Sequence, residues 1–212
     1  MKLAVFGATG GVGQEIVRQA LAAGHDVTAV VRDPSRLQVQ GAGLAVHRSG
    51  LDDPAVLAGA LAGHDAVLSG LGARSRADAA GGIAAALTRA VLAAMEPAGV
   101  RRLLVVSAAP LGTPPPGEPL VDRMVGMLVE KVFAPVYADL AVMESELARS
   151  GTDWTAVRPP MLKNRPATGR YRTALDGNPR SARTIGRADV AHAMLSLVDA
   201  PDTHRRAVGV AY

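Results

Sequence analysis

Gly7-Ala8-Thr9-Gly10-Gly11-Val12-Gly13 follows the apolar run Lys2–Phe6 and precedes Gln14–Ala23, where Ile16, Val17, Ala20 and Leu21 recur at helical spacing until Gly24. Strand, glycine turn and helix in that order make a receptor for the diphosphate of a dinucleotide. The first glycine permits the tight turn, and the middle one admits backbone N–H groups close to the anion. The last lets helix and strand approach, with the helix N-terminus facing the phosphates. The expected contacts are Gly7, Thr9, Gly10, Gly11, Val12 and Gly13, in a G-x-x-G-x-x-G rather than a G-x-G-x-x-G spacing.

Reading outward, Asp26–Val31 is a second buried strand, so the chain opens with a βαβ unit of right-handed crossover. A strand near Ala45–His47, a helix opened by Asp53-Pro54 and a strand at Asp65–Leu71 continue the alternation. An Ala-rich helix over Asp78–Ala98 leads to a fifth strand, Arg102–Val106, and then to a loop holding Pro114-Pro115-Pro116, the clearest lid candidate. Helices are expected at Leu120–Phe133 and Val136–Arg149, separated by Pro135, before a sixth strand at Trp154–Val157. The tail reads as a β-ribbon pairing Gly169–Leu175 with Ser181–Ile185, a helix at Ala188–Val198 and a last strand at Ala207–Ala211.

The fold class is therefore α/β: a Rossmann-type, doubly wound, mostly parallel sheet with a small C-terminal subregion on the substrate side. At 212 residues the chain suits a single domain over 1–212, its stretch from about 155 to 190 forming the substrate side.

The chain has no cysteine, which excludes disulfides, thiolate zinc sites and thiol nucleophiles. His25, His47, His64, His192 and His204 are scattered without ligand spacing, and no metal is expected. A formal charge of +4 is spread along the chain, so no nucleic-acid footprint is indicated. No apolar run reaches the ~20 residues of a spanning helix. The expectation is a soluble, cytoplasmic monomer or homodimer that binds no membrane.

After the second strand, a site for NAD(H) usually presents an acid to the adenosine ribose, whereas here Arg32-Asp33-Pro34-Ser35-Arg36 follows Val31. Arg32 and Arg36 together suit a 2′-phosphate through charge-assisted, bidentate hydrogen bonds, which favours NADP(H) over NAD(H). Asp33 would serve a ribose hydroxyl instead if it turned inward.

Over nearly its whole length the sequence resembles the atypical short-chain dehydrogenases that include the NADPH-dependent biliverdin-IXβ and flavin reductases and the NmrA-like NAD(P)H-binding proteins. The resemblance rests on Gly7-Ala8-Thr9-Gly10 with Gly13 and on Val31-Arg32-Asp33-Pro34-Ser35-Arg36-Leu37. It extends through Asp65-Ala66-Val67 leading to Gly72 and Arg74, and through Ser150-Gly151 leading to Pro159-Pro160. It also rests on Thr168-Gly169-x-Tyr171 before Asp176-Gly177 and on Asp189 opening the last helix, the stretch from Pro159-Pro160 to Tyr171 being its narrowest part. The resemblance implies a dinucleotide in a groove near Gly72, Arg74 and Ser107, with the nicotinamide by Pro160 and an aromatic acceptor on its face. Where the family carries Gly-Asp after the third strand, Ser49-Gly50 stands here, leaving the adenine contact to backbone, as at Leu51, or to Asp52. Ala108 replaces the serine proposed for the biliverdin-type active site, and Met161 replaces the histidine after Pro-Pro, which disfavours biliverdin itself.

The superfamily's Tyr-x-x-x-Lys pair, in which lysine lowers the phenol pKa, is missing: Ala141 lies four residues after Tyr137, Leu175 four after Tyr171, and Tyr212 is last. Ketone reduction needs that proton donor. Hydride transfer to a delocalised, electron-poor ring needs it less, so the leading expectation is an NAD(P)H-dependent oxidoreductase acting on a flavin-, quinone- or tetrapyrrole-like acceptor. Ser107 and Tyr137 are the candidate catalytic residues, with Lys131 in reach of Tyr137 if the helix breaks at Pro135. An alternative is a carbonyl reductase or epimerase-like enzyme using these two residues. Another is a non-catalytic NADP-binding sensor. Met124, Met127 and Met143 are candidates for lining a flat-ring pocket or, more simply, for the core. Lys163, Arg165, Arg170 and Arg172 form a basic stretch that would attract an anionic acceptor.

Overall fold

The computed structural model describes residues 1–51, 53–72 and 80–212. The chain runs β1 (Lys2–Phe6), α1 (Gly11–Ala22), β2 (Asp26–Val31), β3 (Leu44–Arg48), α2 (Pro54–Leu61), β4 (Ala66–Ser69), α3 (Ile83–Ala98) and β5 (Arg102–Val106). It continues through α4 (Leu120–Val132), α5 (Ala134–Arg149), β6 (Asp153–Arg158), β7 (Met161–Lys163), β8 (Arg172–Leu175), β9 (Thr184–Gly186), α6 (Arg187–Ser196) and β10 (Arg206–Ala211). The central sheet has eight strands in the order β3-β2-β1-β4-β5-β6-β10-β8, all parallel except β8, which pairs antiparallel with β10. From β1 the chain winds outward to β3 and then returns to build the other half from β4. A crevice therefore opens beyond the carboxyl ends of β1 and β4, where ligands of such sheets bind.

Side-chain alternation along β1 explains why its sequence reads as one apolar run. Leu3 and Val5 join Ile16 and Val17 of α1 and Val190 and Met194 of α6, whereas Ala4 and Phe6 join Leu57 of α2, Met95 of α3 and Met143 of α5. Both faces of the sheet are covered. Ile16 and Val17 are fully buried, and each contributes about 1.5–3 kcal/mol by leaving water.

Helix α1 starts inside the glycine run, at Gly11, although the apolar spacing first registers at Gln14. Gly10 caps it in an extended conformation, its N–H donating to the Gly7 carbonyl (2.8 Å) and its own carbonyl accepting from the Gln14 N–H (2.9 Å). The Asp53-Pro54 start holds for α2, where the Asp53 carboxylate accepts from the N–H groups of Ala55 and Val56. Pro135 lies in the first turn of α5, not between two helices; the break falls at Phe133, because proline is tolerated where no helical N–H bond is due. The expected start of the Ala-rich helix at Asp78 lies outside the described residues, and α3 is described from Ile83.

The expected ribbon of 169–175 with 181–185 does not form. β8 adds to the free edge of β10, and β9 instead pairs in parallel with β7, a three-residue strand directly after Pro160. The chain between β8 and β9 is drawn across the sheet end. Asn178 Nδ2 donates to the Ala109 carbonyl (2.7 Å), and the Ser181 N–H donates to the Glu118 carboxylate (3.0 Å). The proline-rich loop is the partner in both bonds. It carries a single 3-10 turn at Ala109–Leu111 and a bridge from Thr113 to Gly177.

Arg102, at the amino end of β5, is buried but fully engaged. Its guanidinium donates to the carbonyls of Val198 (2.8 Å), Leu197 and Asp153 and to the hydroxyls of Thr155 (2.8 Å) and Thr203 (3.1 Å). Burial lowers its pKa to about 10, so it stays charged at neutral pH and caps the carboxyl end of α6. Met143 is core, but Met124 and Met127 are 67% and 62% exposed on α4, so neither packs in the core. Among the described residues, no helix is long and apolar enough to cross a membrane.

Candidate cofactor site

The glycine turn is shaped by backbone contacts that admit no Cβ at two positions. Gly7 adopts φ +69°, and a Cβ there would lie 2.8 Å from the carbonyl carbon of Gly70 and the nitrogen of Leu71. A Cβ on Gly13 would lie 2.1 Å from the Gly7 oxygen, so the turn closes onto the first turn of α1 only with glycine at 13. The first turn of α1 holds no acidic residue, and its N–H groups remain available to an anion. This is a cradle a diphosphate fits. Val12, expected as a contact, sends its side chain into the core, leaving only its main chain to the site.

Thr9, Arg32, Asp33 and Arg36 line a pocket of about 270 Å³ beside the turn. The side chain of Asp33 is already used. It accepts from the Ser35 N–H (3.1 Å) and hydroxyl (2.6 Å), capping the 3-10 turn Pro34–Arg36. The Ser35 hydroxyl and N–H hold its carboxyl below the usual aspartate value, with a lesser pull from Arg36. Arg32 and Arg36 thus face the pocket beside a carboxylate committed to its own turn.

Beyond β5 and β6 the backbone pairing continues past the strands, from the Ser107 N–H to Val157 (2.7 Å) and from the Ala109 N–H to Pro159 (2.9 Å). This fixes Ser107 at the crevice floor near the half-buried Pro160. The Ser107 hydroxyl donates to Glu144 Oε1 (2.5 Å), and the Arg158 Nε donates to the same oxygen (3.0 Å). Glu144 and Arg158 form an ion pair with side chains 14% and 13% exposed. With its one hydrogen given to a carboxylate, Ser107 presents lone pairs and accepts rather than donates. Glu144 and Arg158 escaped the sequence reading. Asp139 and Glu146 share α5 with Glu144, so no local pattern marks Glu144 out.

Tyr137 sits half-buried at the edge of the core with Ala108 and Leu111, and burial, helped by Glu130, raises its pKa. The break at Phe133 leaves Lys131 exposed, and among the described residues no hydrogen bond joins it to Tyr137. Leu51 takes a left-handed φ of +69° and packs, partly buried, against the core, and Gly72 is exposed beyond β4. Asp52 and Arg74 lie outside the described residues.

The Thr168-Gly169 and Asp189 signatures meet each other. Asp189, fully buried, accepts from the Thr168 and Gly169 N–H groups (both 2.8 Å), the Thr168 hydroxyl (3.0 Å) and the Tyr212 hydroxyl (2.6 Å). Burial pushes its pKa up, but these donors outweigh it and hold the carboxyl below the ordinary value. Tyr171 is tied to His192 (2.7 Å). Lys163, Arg165, Arg170 and Arg172 are all exposed on the rim of this subregion. Arg187, not singled out in the sequence, lies against Gly11 at the start of α1.

Residues 7–201 match the family described as NAD(P)H-binding. Over 40 residues, 19% of either chain, the sequence is 48% identical to the uncharacterized Bacillus subtilis protein YwnB. Among solved structures, a Burkholderia pseudomallei protein provisionally named as exported superposes with a TM-score of 0.82 at 29% identity, covering all of both chains. A provisionally named epimerase from Bacteroides thetaiotaomicron gives 0.81 at 25%, over 100% of this chain and 96% of that one. The Escherichia coli O157:H7 anaerobillin reductase ChuY gives 0.79 at 24%, over 100% and 97%, a likeness of fold.

Proposed function

The chain belongs to the NAD(P)H-binding family, and from that premise we propose that it is an NADPH-dependent reductase passing hydride to a flavin-, quinone- or tetrapyrrole-like ring. The observation that carries this reading is the state of the two candidate catalytic hydroxyls, Ser107 and Tyr137. Ser107 has given its hydrogen to Glu144, and Tyr137 has its pKa raised, the opposite of what a proton donor paired with lysine requires. An acceptor suited to such a site takes its proton from solvent. Bound reduced nicotinamide supplies the hydride, and the protein's part is to place ring against ring and to limit water.

Arg32 and Arg36 support the choice of NADPH, because Asp33 is turned into its own cap and leaves the guanidinium groups free for a 2′-phosphate. Ser107, an acceptor, suits the amide N–H₂ of the nicotinamide. The exposed rim of Lys163, Arg165 and Arg170 favours acceptors bearing phosphate or carboxylate. The fold shared with an anaerobillin reductase agrees with a large conjugated acceptor.

The test is to mix the protein with NADPH and, separately, FMN, a quinone, dichlorophenolindophenol and a simple ketone, following the nicotinamide absorbance band. Oxidation with the ring acceptors and none with the ketone is expected. Tight NADPH binding without turnover on any acceptor would make the protein a sensor, and turnover on the ketone would return catalysis to Tyr137.

A further inference from the structure

Helix α6 packs along α1, with Gln19 Nε2 donating to the Ala188 carbonyl (2.8 Å). From the first position of α6, Arg187 reaches back along α1 to its N-terminus. Its Cδ and Nε lie 2.7 and 2.9 Å from where a Cβ on Gly11 would stand, and its Cζ 3.9 Å away. A side chain at position 11 would have to displace Arg187 from this place. Nη1 of Arg187 is anchored by Asn164 Oδ1 (2.6 Å), just beyond β7. Among the described residues no carboxylate pairs with it, and the first turn of α1 holds none. Asp189, two residues along α6, is committed to Thr168, Gly169 and Tyr212.

A half-buried guanidinium without a counter-ion, held over the amides that open α1, is a second source of positive charge at the same point. We infer that Arg187 contacts the cofactor diphosphate directly, its Nε and Nη2 donating to phosphate oxygens while Asn164 fixes the orientation of the fork. This rests on the proposed cofactor reading and divides the site's charges into two kinds. Arg187 serves the diphosphate that NADH and NADPH share, whereas Arg32 and Arg36 serve the 2′-phosphate of NADPH alone.

The test is calorimetric titration of wild type, Arg187→Ala, Arg187→Lys and Arg32→Ala with ADP, adenosine 2′-phosphate, NADH and NADPH. Arg187→Ala should weaken ADP, NADH and NADPH by a common factor of about ten, in the range of one charged hydrogen bond, and leave adenosine 2′-phosphate unchanged. Lysine should restore part of the loss, since it keeps the charge without the fork. Arg32→Ala should weaken only the ligands bearing a 2′-phosphate. Unchanged ADP binding in Arg187→Ala, with the Arg32→Ala effect intact, would overturn the role of Arg187 and leave the cofactor reading standing. Equal loss of ADP and adenosine 2′-phosphate in Arg187→Ala would mean a displaced turn and would overturn it too. Failure of wild type to bind any of the four would remove the cofactor reading itself.

Discussion

The two ends of the sheet handle their arginines in opposite ways. At the amino end, Arg102 is buried with its guanidinium spread over three carbonyls and two hydroxyls, an arrangement complete without any ligand. At the carboxyl end, Arg32 and Arg36 face an open pocket, and Arg187 lies over the start of α1 with one side-chain partner. Charge satisfied within the chain stabilises the fold, and charge left facing a glycine cradle is available for binding. Substitutions at the amino end should therefore move melting temperature without moving affinity, and those around the pocket should do the reverse.

The largest effect is expected from Gly13→Ala. A methyl group 2.1 Å from the Gly7 oxygen forces the turn apart, and cofactor affinity should fall by more than about a hundredfold in a titration. Arg102→Met comes next. It strands buried carbonyl and hydroxyl groups, so unfolding should lose about 3 kcal/mol. The melting temperature should drop by roughly 6–12 °C while NADPH affinity stays at the wild-type value; a matching loss of affinity would break the division between the ends. Arg32→Ala should weaken NADPH about tenfold or more with NADH unchanged.

A smaller effect is expected in acid. The folded carboxyl of Asp189 titrates below its ordinary value of 3.8. Its stabilisation is therefore fully present above that value and is lost as pH falls through the folded pKa. Thermal melts should show wild type losing more stability than Asp189→Asn over that acid window; equal slopes would contradict the assignment. The smallest concerns Tyr137→Phe, whose kcat/KM on a ring acceptor should stay within about twofold of wild type. A large fall would restore a proton-donating role.

How much of this was legible in the sequence follows from how local each signal is. The glycine turn, the two arginines after β2 and the Asp53-Pro54 helix start are encoded within a few residues, and the structure shows each in place. The β-ribbon misled because strand pairing is not local: 172–175 and 184–186 looked adjacent, yet the free edges of β10 and β7 claimed them separately. β7 was too short at three residues to register as a strand. Glu144 and Arg187 were invisible for a related reason. The partners of Glu144 are Ser107 and Arg158, and the side chain of Arg187 crosses to Gly11, at separations no motif spans. Met124 and Met127 sit at helical spacing suited to a core, but nothing in periodicity told which face of α4 the rest of the chain would cover.

Trp154 lies at the amino end of β6, paired across from Leu103 and remote from the glycine turn, so its emission is an indirect reporter of the site. The direct measurement is calorimetric titration of the wild-type protein with NADPH and with NADH. Saturable heat at one site per chain, with NADPH bound at least about tenfold tighter, is the expected result. Absence of heat with both nucleotides would contradict the account at its base.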